Sequence, residues 1–266
     1  MLDRFDLYEL CAQSPDAEAR FLRAVHGGSP RTLREDFCGP GGIARAWLRL
    51  GARQRAIVVD RDPEPLARAM GGGIGAPADA PADPRLTGVC EDVLRVRVKA
   101  DVIAALNFAV CELHDRGTLM KYLRGARSSL SPRGVLVVDV YGGSEAYIPG
   151  RYTRKLRGPG GERVEYTWEQ RAADPVTARV VNAMHFRVTE RGGGRGRVLR
   201  DAFVYDWRLW TIAELREAML EAGFRSVDVY DRLGDATDSE GNVYVRPVEP
   251  GEGLDENWVA YVVGRR

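Results

Sequence analysis

The chain has 266 residues, 44% of them hydrophobic and 29% charged, and its formal net charge is +1. A sizeable core can therefore form, and the balanced charge gives no general electrostatic reason to expect a nucleic-acid or membrane partner. No apolar run approaches the roughly 20 residues of a membrane span, and the N-terminus has no apolar signal-peptide segment, so we expect a cytoplasmic protein.

Cysteine and histidine spacing gives no sign of a disulfide framework or a metal centre. No two of the four cysteines form a CxxC pair, which favours reduced thiols. The three histidines, His26, His114 and His185, lie far apart in the sequence. Folding can bring distant ligands together, but no pattern argues for it, and we predict no metal site.

The first half of the chain alternates between predicted strands and helices. One or two helices over residues 5–27 contain Tyr8 and Gln13, polar groups that either reach a ligand or pack at the surface. Strand and helix patterns then follow in turn over residues 32–50, 55–70, 85–90, 101–107, 116–130 and 135–141, with residues 131–134 as a helix stop. This order indicates a parallel sheet covered on both faces, with ligands at the carboxyl ends of its strands.

The pattern changes between residues 144 and 206. Apolar and polar residues alternate over 162–168, 179–188 and 198–207, and Asp-Pro and Gly-rich turns separate these runs. Such runs are typical of antiparallel hairpins, so we predict an inserted β-meander that forms a substrate lid or a dimer surface. We interpret the arginines of 191–197 as a solvated hairpin tip rather than a nucleic-acid patch.

The last part of the chain returns to the helix and strand patterns of the first half. Thr211 and Glu214 form a capping-box signature for a helix that ends at Gly223. Two apolar runs over 224–230 and 258–263 are predicted strands, and an acidic loop joins them.

Residues 32–44 carry the strongest functional signal. An apolar lead-in reaches Glu35, and a Gly-rich turn and a predicted helix follow. Glycine permits positive φ and close approach of the backbone to a ligand. Nineteen residues after Gly41 a second predicted strand ends in Asp60, a spacing at which an acid can bind both hydroxyls of a ribose. We therefore predict a nucleoside-containing ligand at the ends of these two strands.

Two features of this turn separate possible cofactors. The pattern Gly39-x-Gly41-x-x-Ala44 formally fits a dinucleotide fingerprint. However, the Glu35 carboxylate before the turn would repel a pyrophosphate, whereas it suits a cationic group such as the methionine ammonium of S-adenosylmethionine. The turn also begins more than thirty residues into the chain, and dinucleotide-binding domains more often open with it.

Residues 33–41 resemble the first motif of the class I S-adenosylmethionine-dependent methyltransferases, in which an acid precedes a Cys-Gly-x-Gly turn. The resemblance implies a set of cofactor-binding positions at the ends of the first four strands. They are Glu35, Phe37, Cys38, Gly39, Gly41, Asp60, Arg61, Asp92, Val93 and Asn107.

The resemblance also implies roles for individual positions. Glu35 would lie near the methionine amino group, and Asp60 would hold the ribose. Asp92 would accept a hydrogen bond from the adenine exocyclic amine, while the Val93 N–H would donate to a ring nitrogen. Phe37 stands where the family has its first glycine, which changes the backbone freedom expected of the turn.

The fold that the resemblance implies is a Rossmann-like, doubly wound α/β sheet. It has seven mostly parallel strands, and an antiparallel last strand lies between the fifth and the sixth. Residues 1–143 and 207–266 would form this S-adenosylmethionine-binding core, and residues 144–206 would form the inserted β-rich subdomain.

Methyl transfer from a sulfonium is an in-line displacement that depends mainly on alignment and exclusion of water. A base is needed when the acceptor is a hydroxyl or a protonated amine. His114 is the first candidate because imidazole titrates near neutral pH, and Tyr141 is the second. Four aromatic residues of the alternating runs either line an apolar acceptor pocket or pack onto the core: Trp168, Phe186, Tyr205 and Trp207.

The sequence therefore predicts an enzyme that transfers a methyl group from S-adenosylmethionine to an N or O nucleophile of a small molecule. Two alternatives stay open: an NAD(P)-dependent oxidoreductase and a non-catalytic protein that binds an adenosyl ligand. A macromolecular acceptor is less favoured because the chain has no basic stripe. Unpaired strand edges invite pairing, so a homodimer through the inserted strands is a further expectation.

Overall fold

The computed structural model describes residues 2–74, 83–194 and 196–266. A seven-stranded sheet in the order β10-β13-β5-β4-β1-β2-β3 forms its centre. Its strands are β1 (Thr32–Asp36), β2 (Arg55–Asp60), β3 (Leu86–Cys90), β4 (Ala100–Ala105), β5 (Leu130–Gly143), β10 (Ser226–Tyr230) and β13 (Asn257–Arg265). β13 is antiparallel to β5 and to β10, while the pairings among β1 to β5 are parallel. The expected strand order, with the last strand between the fifth and the sixth, is confirmed.

Helices cover both faces of this sheet. They are α1 (Arg4–Ala12), α2 (Pro15–His26), α3 (Gly42–Arg49), α4 (Pro63–Met70), α5 (Arg116–Ser129) and α6 (Ile212–Glu221), with a short 3₁₀ helix at Ala109–Glu112. α2, α3 and α4 contribute to one apolar cluster, and α5 and α6 contribute to another. Burial on both faces explains why the parallel strands read as nearly continuous apolar runs. Among the described residues, no helix is both long enough and apolar enough to cross a bilayer.

Side-chain caps define several helix starts. The predicted capping box is present, because Thr211 accepts from the Glu214 N–H while the Glu214 carboxylate accepts from the Thr211 N–H. An equivalent box with Asp3 and Asp6 begins α1. Ser14 stands at the N-cap position of α2, but its side chain makes no capping hydrogen bond, and the proline at the first helical position favours the helical backbone instead.

A second sheet holds four antiparallel strands in the order β6-β7-β8-β9. Its strands are β6 (Gly150–Arg157), β7 (Arg163–Asp174), β8 (Arg179–Thr189) and β9 (Arg197–Arg208). The hairpins were predicted, whereas β6 was not, because its eight residues are nearly all exposed and lack apolar alternation. Of the predicted hairpin tip 191–197, residue 195 lies outside the described residues. Two short strands, β11 (Ala236–Thr237) and β12 (Val243–Tyr244), pair within the loop before β13.

The start of β5 differs from the prediction. Residues 131–134 were expected to end a helix, but they lie within β5, which starts directly after α5. The pairing of β4 with β5 jumps from Ala100 opposite Leu130 to Val102 opposite Val135, and Arg133 has a φ of 65°. The Pro-Arg-Gly segment therefore forms an irregularity in the pairing of β4 with β5, and regular pairing resumes after it.

α1 contacts both the four-stranded sheet and two helices of the core. Its apolar residues Leu7 and Cys11 pack in one cluster with residues of β7 and β8. Its acidic residues face the other way, where Asp6 pairs with Arg68 of α4 and Glu9 pairs with Arg45 of α3. α1 thus ties the four-stranded sheet to the helices beside the Gly-rich turn.

Candidate cofactor-binding and active site

The turn after β1 has the backbone conformation that a close ligand contact requires. Phe37, Gly39 and Gly41 all have positive φ, at 54°, 50° and 71°. Phe37 therefore adopts the left-handed conformation available to the family's glycine, at a cost of roughly 1–2 kcal/mol, and its ring packs 5.9 Å from that of Tyr122. A Cβ on Gly39 would meet no atom within 4 Å, so this part of the turn faces open space. A Cβ on Gly41 would lie 2.6 Å from the Ala69 Cβ, so that position tolerates only glycine.

Glu35 is held under this turn at the end of β1. Its side-chain Oε2 accepts the backbone N–H of Ala44, in the first turn of α3, at 2.8 Å. The residue is 3% exposed, and burial raises the pKa of its carboxyl to about 8. The hydrogen bond from Ala44 and the positive charge of Arg45 lower this pKa, but their effect is smaller. Cys38, the thiol in the turn, is also buried, and burial beside acids raises its pKa well above the usual range. The turn is therefore bordered by acidic groups.

Asp60 joins the end of β2 to the same turn. Its carboxylate accepts the N–H of Gly39 at 3.0 Å and the N–H of Asp62 at 2.9 Å. Burial raises the pKa of Asp60, and the two backbone hydrogen bonds oppose that effect. The Asp60 carbonyl also accepts the N–H of Glu91 at 3.1 Å, which brings the segment after β3 beside β2.

The other predicted cofactor positions follow neighbouring strands. Asp92 lies one residue beyond Glu91, and its Oδ1 accepts the Leu94 N–H at 2.9 Å, while the Val93 side chain is buried. Arg61, directly after Asp60, has an exposed side chain. The structure thus brings the ends of β1, β2 and β3 together around one edge of the sheet.

Asn107 belongs to a strained segment that the sequence did not reveal. Asn107 and Phe108 both have positive φ, at 61° and 64°, and their N–H groups donate to the two carboxylate oxygens of Asp139 at 3.0 and 2.7 Å. Burial raises the pKa of Asp139 to about 7. Asp139 was missed, although a lone acid within the apolar run of β5 was an available signal.

Aromatic rings from both sheets meet beyond the ends of β4 and β5. Phe108 lies 4.8 Å from Tyr141 and 5.8 Å from Trp207, measured between ring centroids. Trp207 in turn stacks on Tyr205 at 4.5 Å and lies 5.8 Å from Trp168. We call these five residues the aromatic cluster.

The aromatic cluster is bounded by a hydrogen bond and by a second aromatic pair. Trp207 donates its indole N–H to Glu112 Oε1 at 3.0 Å, which fixes its ring beside the 3₁₀ helix. Phe186 was predicted with this group, but it stacks on Tyr166 at 5.6 Å and packs in the cluster that includes α1.

Of the two candidate bases, Tyr141 belongs to the aromatic cluster, and His114 bonds to the backbone of Asp206, next to Trp207 of that cluster. His114 Nε2 is 2.6 Å from the carbonyl oxygen of Asp206, which requires Nε2–H to donate and leaves Nδ1 as the nitrogen that can accept a proton. The Tyr141 hydroxyl accepts from Asn182 Nδ2 at 3.2 Å, and burial raises the pKa of Tyr141. Asn182 is fully buried, and among the described residues its Oδ1 has no hydrogen-bond partner.

Two further polar groups come from the segment that covers the turn. Among the described residues, Gln13 Oε1 and Glu18 Oε2 are buried without a hydrogen-bond partner. Gln13 Oε1 would lie 2.9 Å from a Cβ on Gly42, so the amide sits directly over the turn. Sequence reasoning named Gln13 but missed Glu18, although Glu18 precedes Leu22 and Val25 at spacings that share one helix face.

Comparison with solved structures identifies the fold. No protein-family model matches the chain, and no curated protein matches it significantly. A S-adenosylmethionine-dependent methyltransferase from Clostridium acetobutylicum is similar, with a TM-score of 0.65 at 16% identity, and the match covers 97% of this chain and 96% of that one. The sugar N-methyltransferase KedS8 from Streptoalloteichus matches with a TM-score of 0.66 at 18% identity, over 98% and 91% of the two chains.

A third similar structure is CalS10 from Micromonospora echinaspora, an amino pentose methyltransferase solved with S-adenosylmethionine bound. It matches with a TM-score of 0.65 at 17% identity, over 99% of this chain and 98% of that chain. At these identities the comparisons establish the architecture. The chain has the Rossmann-like fold of these methyltransferase structures, and it also carries a four-stranded antiparallel sheet after β5.

Proposed function

We propose that this protein is a S-adenosylmethionine-dependent methyltransferase that acts on an N or O nucleophile of a small molecule. The observation that carries the proposal is the placement of two carboxylates around one left-handed turn. Glu35 lies under the turn through its bond to Ala44, and Asp60 borders it through its bond to Gly39. This arrangement suits a ligand with a cationic group at one end and a ribose at the other.

The same contacts argue against a dinucleotide. A pyrophosphate binds to free N–H groups at a helix N-terminus. Here the Ala44 N–H is already donated to a carboxylate and the Gly39 N–H to another, so anionic groups occupy the positions that a pyrophosphate would need. An oxidoreductase that uses NAD(P) is therefore disfavoured.

The residues present fit the proposed cofactor. The open space at Gly39 admits a ligand against the backbone, and Glu35 under the turn would lie near the amino group of its methionine portion. Asp60 would hold the ribose with Arg61 beside it, and Asp92 and Val93 would bind the adenine. Phe37, Cys38 and Gly41 would supply the turn around the methionine portion, with Asn107 at the reaction side. When bound, the cofactor supplies an electrophilic methyl group on a sulfonium.

The aromatic cluster is the proposed acceptor site. It joins the ends of β4 and β5 to β7 and β9, so residues 144–206 would act as a lid that excludes water and orients the acceptor. His114 is the proposed base through Nδ1, and Tyr141 is the second candidate. That KedS8 acts on a sugar and CalS10 on an amino pentose supports a small, polar acceptor.

Calorimetric titration with S-adenosylmethionine, S-adenosylhomocysteine and NADH in parallel tests the cofactor. We expect saturable binding of the two adenosyl sulfur compounds and no binding of NADH. Incubation with labelled cofactor and a panel of amino and hydroxyl sugars then tests transfer. Binding of NADH alone would overturn the proposal, and tight cofactor binding without transfer to any acceptor would indicate a binding protein instead.

A further inference from the structure

Glu18 is a buried acid whose position no part of the fold explains. It is 6% exposed, and its Oε2 has no hydrogen-bond partner among the described residues. The nearby backbone of Ser14 lowers the pKa of this carboxyl, but burial outweighs that effect. A buried carboxyl with an unpartnered oxygen is costly unless a ligand or a cation completes it.

The charges around Glu18 have the wrong sign to balance it. Burial raises the pKa of Glu18 to about 8, and the nearby carboxylate of Asp139 in β5 adds to this effect. The charges of Glu18 and Asp139 both raise the pKa of Tyr8 in α1 and of Tyr261 in β13. The charge of Glu18 also raises the pKa of Glu35 in β1. Arg45, whose positive charge lowers the pKa of Glu35, is paired with Glu9 of α1. This side of the turn is thus rich in acceptors.

We propose that Glu18 receives the α-ammonium group of the cofactor's methionine portion, with the Gln13 amide oxygen as a second acceptor. The inference rests on the proposed function. A primary ammonium has three N–H donors and no acceptor, which complements two unpartnered acceptor oxygens. Gln13 Oε1 lies over the turn at Gly42, and Glu18 is close enough to Glu35 to raise its pKa. The segment from Gln13 to Glu18 would thus meet the amino-acid end of the ligand on the side of the turn where Glu35 lies.

The test compares ligands with and without the amino-acid portion. 5′-Methylthioadenosine keeps the adenosine and the sulfur but lacks the methionine ammonium. In calorimetry with the full-length protein, Glu18→Gln should weaken S-adenosylhomocysteine binding about tenfold or more, through loss of a charge-assisted hydrogen bond. Binding of 5′-methylthioadenosine should change less than about twofold, because that ligand never meets Glu18.

Asp16→Asn is the matched control, since it removes the same charge from the same helix at a side chain that is 71% exposed. It should leave both affinities unchanged. If Glu18→Gln weakened both ligands equally, or neither, the assignment would be wrong. If the wild-type protein bound none of the ligands, the proposed function itself would fail, and the inference would fall with it.

A measurement on the wild-type protein guards against a variant that does not fold. S-Adenosylhomocysteine without its α-amino group should bind the wild-type protein about tenfold or more weakly than the intact ligand. In Glu18→Gln the two ligands should differ much less, because the partner of the amino group is gone. Equal affinity of both ligands for the wild-type protein would overturn the proposal.

Discussion

Asp60 accepts the backbone N–H of Gly39 at 3.0 Å, and this contact joins the end of β2 to the turn that follows β1. The acid proposed to bind the ribose therefore also stabilises the turn proposed to surround the methionine portion. Each carboxylate oxygen has a second lone pair, so the contacts to Gly39 and Asp62 still leave acceptor capacity for a ribose.

We expect Asp60→Ala to weaken binding of S-adenosylmethionine and of 5′-methylthioadenosine alike, by about 1–3 kcal/mol each. Both ligands contain the ribose, so the loss should not depend on the amino-acid portion, in contrast to Glu18→Gln. Calorimetry measures both affinities, and Asp62→Ala, which changes only the exposed cap of α4, is the control. Unchanged affinity in a folded Asp60→Ala variant would refute the ribose assignment.

The ligand-free protein should lose stability as the pH rises from 6 to 8.5. Burial raises the pKa of Glu18 and Glu35 to about 8 and that of Asp139 to about 7, whereas unfolded carboxyls titrate near 4. Between these values the folded state binds more protons than the unfolded state, so the free energy of unfolding falls with increasing pH. Even a loss of about 1 kcal/mol lowers Tm by roughly 2–4 °C.

Thermal unfolding at a series of pH values measures this effect. Glu18→Gln should reduce the dependence of Tm on pH over this window, because one of the three titrating groups is removed. A Tm that stays constant or rises between pH 6 and 8.5 would show that these carboxyls are not protonated in the folded protein.

Arg34 and Asp36 form a fully buried ion pair within β1. The Arg34 guanidinium donates to both oxygens of Asp36 at 2.9 Å, and the Tyr122 hydroxyl donates to one of them at 3.0 Å. Arg34→Met should therefore destabilise the protein by about 3–5 kcal/mol, since it leaves a buried carboxyl without its counter-charge.

Urea unfolding gives the free energy of unfolding for this comparison. Arg151→Met is the matched control, because Arg151 pairs with Glu169 at an exposed site, where loss of an ion pair costs at most about 1 kcal/mol. Equal losses in the free energy of unfolding for the two variants would show that the buried ion pair contributes no more to stability than the exposed one.

His114→Ala should lower kcat at least about 100-fold at saturating acceptor, as expected for loss of a general base. The Kd for S-adenosylhomocysteine should not change, since His114 lies beside β9 rather than at the turn. Tyr141→Phe removes the second candidate hydroxyl and should have a smaller effect. Once an acceptor is known, steady-state kinetics decide between them, and full activity of His114→Ala would exclude it as the base.

A homodimer would pair copies of this chain through an edge of the four-stranded sheet. The β6 edge carries Arg151, Arg154, Lys155 and Arg157, whose like charges oppose antiparallel self-pairing. The β9 edge instead exposes Val198 and Val204, at 45% and 52%. We expect a dimer in gel filtration that Val204→Asp converts to a monomer; a monomeric wild-type protein at micromolar concentration would contradict this.

Local rules in the sequence determined the order of the elements and one half of the proposed site. α4 spans the predicted residues because Asp62 caps it and prolines fix its first turn. Glu35 and Asp60 were identifiable because each ends an apolar strand, and parallel strands bring their carboxyl ends to one edge. Such features depend on neighbours within a few residues, so the sequence displays them directly.

The other half of the proposed site depends on the tertiary structure alone. Glu18 and Asp139 are 121 positions apart in the chain, and only the packing of α2 over β5 brings their carboxylates close. Local sequence preference disfavours the positive φ of Phe37 and Phe108, and it also disfavours a strand over residues 131–134. Contacts from distant strands impose these conformations. Long-range packing and desolvation are properties of the assembled core, and no short segment encodes them by itself.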